Sequence, residues 1–512
     1  MTDPRRVTHP ASGGLPDASG MPVRPRAVVV GGGIAGLAAA TGLAERGVAV
    51  NVLEREAYLG GRVGGWTEDI QVDGATVPVA MNRGFHAFFR QYYNLRNLLC
   101  RIDPDLSMLT AIEDYPLIDA HGRRDGFRGL PRTPPLNALA FALRSPTFRL
   151  RDLARINARA AAPLAAVSIP AIYALLDDTD AATFLRDINF PDAARHLAFE
   201  VFSRSFFTDP AELSAAELAT MFHIYFLGSS EGLVFDVADD DFDTVLWVPL
   251  RKHLESLDVT FHTGVTATCV HPGPTFRVHA DSGTRFQAEG VVLATDVAGL
   301  RELVDGSPAL GDQDWRTRVE GLRTAAPFTV LRLWLDRPVD PGRPAFLGVG
   351  GHRPLDNISV VSAYERQAAR WAADHGGSVV ELHAYAVDDA PEAVRRRLLD
   401  RLHELYPETV DVRIVGERVL HRDDCPRFGP GDFAARPGVA TPHPGLALAG
   451  DGIRIDLPVA LMERAATTGW AAANRLLEHL GVRGHNLYSV PTQGRSATLR
   501  RLATSRERLL NS

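Results

Sequence analysis

At 512 residues, with 45 % apolar and 23 % charged side chains, the chain is long enough for two or more interwoven domains and has the composition of a soluble globular protein. A net charge of −7, from 55 basic and 62 acidic residues, gives no general attraction for nucleic acid. Cys100, Cys269 and Cys425 are odd in number and far apart, which fits a reducing, cytoplasmic compartment and supports neither a disulfide framework nor a metal cluster.

Residues 1–23 are rich in Pro, Gly, Arg and Asp, with no apolar stretch behind Arg5-Arg6, which predicts a disordered leader and no secretion signal. Ala27 to Val30 then read as a buried strand running into Gly31, Gly33 and Gly36, with Ile34 and Ala35 opening a helix. Glycine serves three needs at such a junction: a tight bend, backbone contact with a pyrophosphate, and close packing of helix on strand. The helix N-terminus adds unpaired N–H groups and a partial positive charge. The next strand, Val48 to Leu53, ends on Glu54, 21 residues past Gly33, where a carboxylate can bond ribose hydroxyls, with Arg55 beside it. Strand, glycines, helix and acid in register predict a dinucleotide site. Gly60-Gly61-Arg62 then folds the chain back over the pyrophosphate, with Arg62 in reach of it.

Farther on, Phe85, Phe88, Phe89, Tyr92 and Tyr93 place five aromatic rings within nine residues. Such a wall suits a polyene or a delocalised carbocation, although two or three of these rings serve as well as core filling. The longest uncharged run, Ala160 to Leu176, has 17 residues and contains Pro163 and Pro170, so it is short and broken for a membrane span. It reads as a buried or substrate-lining helix, or as a monotopic membrane contact. Asp239-Asp240-Asp241 reads as a solvated loop. Gly290 to Leu293 is an apolar strand closing on Ala294-Thr295-Asp296, and Thr329–Leu335 and Ser378–Tyr385 alternate as half-buried strands. Near the end, a strand from Gly445 delivers Asp451 beside Gly450, and a helix is expected over Val459–Leu476 with Pro458 in its favoured first-turn position. The stretch 481–512, with Arg495, Arg500, Arg501, Arg506 and Arg508, reads as a basic, solvated tail.

A G-G-R segment just after a ribose-binding acid resembles the FAD-dependent amine oxidase and carotenoid desaturase superfamily, and Glu463 to Gly469 is similar to its C-terminal flavin signature. The resemblance implies FAD and an α/β fold, and since no Cys or His lies in a recognisable flavin-attachment motif the FAD is expected to be non-covalent. A Rossmann-type, glutathione-reductase-like FAD-binding domain is expected from 24–103, 245–300 and 441–480. An α+β substrate domain from 104–244 and 301–440 is interleaved with it. It further implies that Arg83, Gly84 and Phe85 run along the flavin ring, that the Val265 backbone meets adenine, and that Asp451 accepts from the ribityl hydroxyls. The helix after Pro458 and Val459 would aim its dipole at the flavin N1/O2 locus.

The segment Arg83-Gly84-Phe85-His86-Ala87-Phe88-Phe89-Arg90-Gln91-Tyr92-Tyr93-Asn94-Leu95-Arg96 is narrower. It resembles carotene desaturase/methyl-migrases of the isorenieratene synthase type. That implies aromatisation of the β-ionone rings of β-carotene with intramolecular methyl migration: hydride loss to flavin, a methyl shift, proton loss to a base, and a second dehydrogenation. His86 is the first candidate base, with Glu231 and Asp236 next. The implied partner is an apolar carotenoid, reached through peripheral membrane contact with Ala160–Leu176 at the pocket mouth. Oligomeric state is not read. Alternatives are a phytoene-type carotenoid desaturase or isomerase, a flavin amine oxidase, and a flavin-free escort of a prenylated protein.

Overall fold

Five parallel strands carry the first motif. In spatial order they are Val259–Thr263, Ala49–Glu54, Arg26–Val30, Gly290–Leu293 and Leu446–Leu448. The computed structural model describes residues 3–72, 74–112, 114–133, 136–147, 154–191, 207–233 and 235–494; the expected basic stretch beyond Gly494 lies outside them. The strands are covered on both faces, which is why they read as apolar runs without alternation. Val29, Val52 and Val292 face one core with the helix Ile34–Ala44. Val28, Val30, Val291 and Leu293 face a second core with the meander Ala267–His271, Phe276–Ala280, Arg285–Ala288.

Every residue of Ile34–Ala44 is buried, because the long helix Leu461–His479 lies against it. Small residues make that approach possible: a Cβ on Gly469 would stand 2.2 Å from the Ala35 carbonyl oxygen. The Glu463–Gly469 signature is therefore largely architectural. Glu463 accepts from the backbone N–H groups of Asn94 and Leu95, and Arg464 pairs with the buried Glu217 at 2.8 Å.

The second layer is a mixed seven-stranded sheet. Its order is Ile414–Arg422, Phe328–Leu335, Ser378–Ala384, Asn357–Val360, Phe346–Val349, Leu117–Ile118 and Arg124–Asp125. The hairpin Gly65–Val72 and Ala75–Asn82 packs on this sheet through Ile70, Val79 and Trp334, although it falls within the stretch expected to serve the cofactor domain.

Several expectations need correction. The leader is ordered: Val7–His9 pairs with Leu487–Ser489, and buried Asp3 accepts from the Tyr93 hydroxyl at 2.6 Å. Its partners lie far along the chain, beyond local reading. The last helix starts at Leu461, not Val459, because Pro458 and Val459 form a turn and Ala460 is the extended cap residue. Thr329–Leu335 and Ser378–Ala384 are buried on both faces, so their polar positions meet each other instead of water. Ala160–Leu176 is not one helix but two, Ala158–Ala165 and Ala171–Leu176. Val167, Ile169 and Tyr173 within it are core residues. Asp239 and Asp240 are paired with Arg366 and do not form a solvated run.

Gly469→Ala should lower stability by about 1–3 kcal/mol, since a backbone oxygen cannot yield as a side chain can. The shift in the denaturant midpoint against the unchanged protein measures it.

Candidate active site

A cavity of about 600 Å³ runs from the glycine turn of the parallel sheet to the face of the seven-stranded sheet. At the first end, Gly31 has φ +107°, and a Cβ there would stand 2.5 Å from the Ala294 carbonyl oxygen. A Cβ on Gly33 would meet nothing nearer than Gly61 Cα at 3.8 Å, so it would project into open cradle. The two glycine loops are held together by Gly60 N–H donating to the Gly32 carbonyl at 2.9 Å. No side chain caps the helix that begins at Ile34, which leaves its first N–H groups for an anion.

The donor set around this cradle fits FAD. Glu54 is buried at the end of its strand and accepts from Gly32 N–H at 2.6 Å and Glu56 N–H at 2.8 Å. Burial raises its carboxyl above the usual range, against the pull of those two N–H groups. Thr295 Oγ1, also lining the cavity, is buried with no hydrogen-bond partner among the described residues. Arg62 pairs with Asp451 across the cradle, and Arg55 pairs with Asp296 at 2.6 Å. Ile34, Ala35, Gly61, Val265 and Gly450 complete the expected set that lines this end. Three expected residues do not. Gly36 instead lets the helix close on the Gly31 carbonyl, and Pro458 and Val459 lie behind Leu461 and Met462, which take the lining positions.

The second end is aromatic. Phe85, Phe89 and Tyr92 face it together with Tyr115, Tyr225 and Phe235, and the Phe89–Tyr225 ring centroids are 4.5 Å apart. Phe88 and Tyr93 are core residues. Of the three candidate bases, only His86 lines the cavity. Its Nδ1 lies 2.8 Å from the Gly84 carbonyl oxygen, which can only accept, so the proton sits on Nδ1 and Nε2 keeps its lone pair. Burial pushes its pKa down to about 4, so the ring is neutral at physiological pH. Asp236 instead forms a buried ion pair with Arg96, with Arg90 at 3.5 Å. Glu231 lies outside the cavity, in the bend after Ser229.

Beneath Gly84 lies a charged network that sequence reading missed. Arg332 is 1 % exposed; it donates to Glu381 Oε2 at 2.8 Å, to the Ala80 carbonyl at 3.0 Å and to Asn82 Oδ1 at 2.9 Å. Glu381 Oε1 meets His383 Nε2 at 2.7 Å, and His383 Nδ1 meets the Tyr385 hydroxyl at 2.9 Å. Burial alone would raise the Glu381 carboxyl, but Arg332 and His383 outweigh it and hold it down at about 2. Burial pushes the neighbouring Glu365 up to about 7, because Arg332 is 4.0 Å from it and already committed to Glu381. Arg83, expected at the flavin, pairs with Asp424 at 2.5 Å, and burial pushes the adjacent Cys425 thiol up to about 12. Away from the cavity, Cys269, His271 and His279 come within 4.8 Å of one another through the pairing of the adjacent strands Ala267–His271 and Phe276–Ala280. Arg277 and Arg285 stand opposite His271 and His279, which disfavours a cation there.

A Rossmann-type sheet with a glycine cradle, joined through one cavity to a sheet-backed aromatic chamber, defines an FAD-dependent oxidoreductase. The chain belongs to the flavin containing amine oxidoreductase family, which matches residues 34–477. It is 57 % identical over 484 residues to the carotenoid phi-ring synthase of Streptomyces griseus, covering 94 % of this chain and 93 % of that one. It is 28 % identical over 628 residues to the carotenoid phi-ring synthase of Chlorobaculum tepidum, covering 96 % and 94 %. Among solved structures, putrescine oxidase bound to putrescine superposes with TM-score 0.64 at 16 % identity, covering 89 % of this chain and 99 % of that one. Cyclohexylamine oxidase from Brevibacterium oxydans gives 0.63 at 16 %, covering 90 % and 100 %. At this identity the two share the fold.

Gly33→Trp should abolish flavin binding by filling the cradle. Glu54→Ala should weaken it by about 1.5–3 kcal/mol, the worth of hydrogen bonds to a charged group. Absorbance titration of the apoprotein with FAD measures both.

Proposed function

We propose that the protein desaturates and aromatises the β-ionone end rings of a carotenoid of the β-carotene type, moving one geminal methyl group within the ring. The observation that carries this reading is the aromatic chamber with a neutral imidazole, continuous with the flavin cradle. The 57 % identity to a carotenoid phi-ring synthase supports it. FAD, when bound, supplies the hydride acceptor for two successive dehydrogenations. Gly31, Gly33, Glu54, Arg62 and Asp451 hold it. Each ring gives up two hydrides and two protons. Ring faces of Phe85, Phe89 and Tyr225 stabilise the delocalised cation that carries the methyl shift. His86 Nε2 takes a proton from that cation. A base with a pKa near 4 suffices, since a proton beside a carbocation is strongly acidic, and a neutral imidazole does not repel the cation as an imidazolium would.

In this proposal the carotenoid enters from a lipid surface met by the helix Leu136–Arg144. Leu136, Leu139 and Leu143 are 56, 54 and 59 % exposed and lie at helical spacing. Five arginines and one aspartate occur between Gly122 and Arg144, the charge balance of a segment that meets anionic headgroups. Phe141 on this helix stacks at 5.3 Å on Phe127, which lines the cavity. Neither this helix nor Ala160–Leu176 lines the cavity itself, and the Phe127–Phe141 stack is the link that favours a mouth at this helix. No helix among the described residues is long and apolar enough to cross a membrane.

Incubated with β-carotene in anionic phospholipid vesicles, the FAD-loaded protein should give a product with aromatic end rings; turnover of soluble amines without lipid, and none of carotene, would favour the oxidase. Replacing Leu136, Leu139 and Leu143 together by Ser should remove co-sedimentation with such vesicles while leaving the flavin spectrum unchanged.

A further inference from the structure

We infer that Tyr385, backed by His383 and Glu381, is a second proton acceptor for the ring, a catalytic phenol at the end of a hydrogen-bonded relay. The inference rests on the carotenoid reading above. Glu381, His383 and Tyr385 occupy alternate positions of one chain segment, so their side chains share a face and form a wire along it. The wire starts at Arg332, buried and bonded to Glu381 at 2.8 Å, and ends at the Tyr385 hydroxyl, whose residue lines the cavity. It passes directly under the segment that carries His86: a Cβ on Gly84 would lie 3.6 Å from His383 Nε2 and 3.8 Å from Glu381 Oε1.

Proton direction follows from the partners. An ionised Glu381 only accepts, so His383 Nε2 carries hydrogen and donates to it. Nδ1 is then a lone pair, and the Tyr385 hydroxyl donates to it at 2.9 Å. The phenolic oxygen therefore keeps an acceptor lone pair for the cavity. When the ring cation loses its proton, a ring C–H bond breaks and its electron pair becomes the new ring double bond. That proton goes to Tyr385 Oη as the phenolic proton passes to His383 Nδ1. The imidazolium so formed is paired with the Glu381 carboxylate, and the relay gains no electrons; the preceding hydride has gone to the flavin. A phenol alone is a poor base, but one that passes on its own proton as it receives another never has to ionise. His86 and the relay thus provide one acceptor for each of the two protons lost per ring.

Tyr385→Phe keeps the ring that packs edge-on against Phe207 at 5.0 Å and removes only the hydroxyl. His383→Gln keeps the hydroxyl and removes the proton acceptor behind it. In the full-length, FAD-loaded protein with β-carotene in vesicles, both variants should keep the melting temperature and flavin spectrum. Flavin bleaching in one anaerobic turnover should stay within about twofold, since hydride loss needs no relay. Aromatic product should fall roughly 10²–10⁴-fold, with a dehydrogenated, non-aromatic carotenoid accumulating. In ¹⁵N-labelled protein, His383 should carry hydrogen on Nε2. Equal slowing of bleaching and product, loss of flavin, unimpaired aromatisation, or the opposite tautomer would overturn the relay and leave the proposed function standing. Failure of the unmodified protein to aromatise any carotene would remove both.

Discussion

The site depends on one buried guanidinium. A charge taken out of water is costly unless it is paired and fully hydrogen-bonded, so Arg332 at 1 % exposure dictates where its partners stand. Through the Ala80 carbonyl and Asn82 it pins the hairpin onto the seven-stranded sheet, and through Glu381 it orients His383. Asn82 Oδ1 accepts from Gly84 N–H as well, at 2.9 Å, which holds the left-handed turn at Gly84 with φ +99°. His86 hangs from that same turn by its bond to the Gly84 carbonyl. One cation therefore sets the positions of His86 and Tyr385, both of which line the cavity.

Two carboxylates compete for that cation. Glu381 makes the direct bond and is held anionic; Glu365 is 4.0 Å away and is left with a carboxyl near 7. Arg332–Glu381 is thus the directly bonded pair beneath Gly84, and Glu365, raised by burial, holds its proton more readily than an ordinary carboxyl. For a reaction through a carbocation this division matters: a bare carboxylate at the ring could trap the cation covalently, whereas aromatic faces and neutral acceptors stabilise it and let it go on to product.

The cofactor end was legible in the sequence because its rules are local. Gly31, Gly33, Glu54 and Arg62 follow from a strand, a turn and a spacing, and the structure gathers them around one cradle. The aromatic segment was legible as composition but not in its partition between wall and core, since Phe88 and Tyr93 differ from Phe85 and Phe89 only in what long-range partners cover them. Polar residues were the hardest. Glu381 and His383 alternate with apolar neighbours as they would on a strand with one face in water, and only the stacking of the hairpin over that face turns them into a buried network. Asp236 looked like a base until the fold brought Arg96 to it from 140 residues away. Asp3 and the leader belong to the same class, being fixed by Tyr93 and the strand Leu487–Ser489.

On the proposed function, the flavin cradle, the aromatic chamber and the neutral proton acceptors together rearrange a ring without adding carbon to it. That claim is tested most directly with β-carotene labelled with ¹³C in both geminal methyl groups of an end ring, turned over with no methyl donor present, and the product analysed by NMR and mass spectrometry. The proposed function predicts that both labelled methyls remain on the aromatic ring, one of them moved to the adjacent carbon. Loss of a labelled carbon, or aromatisation only when a methyl donor is added, would contradict it.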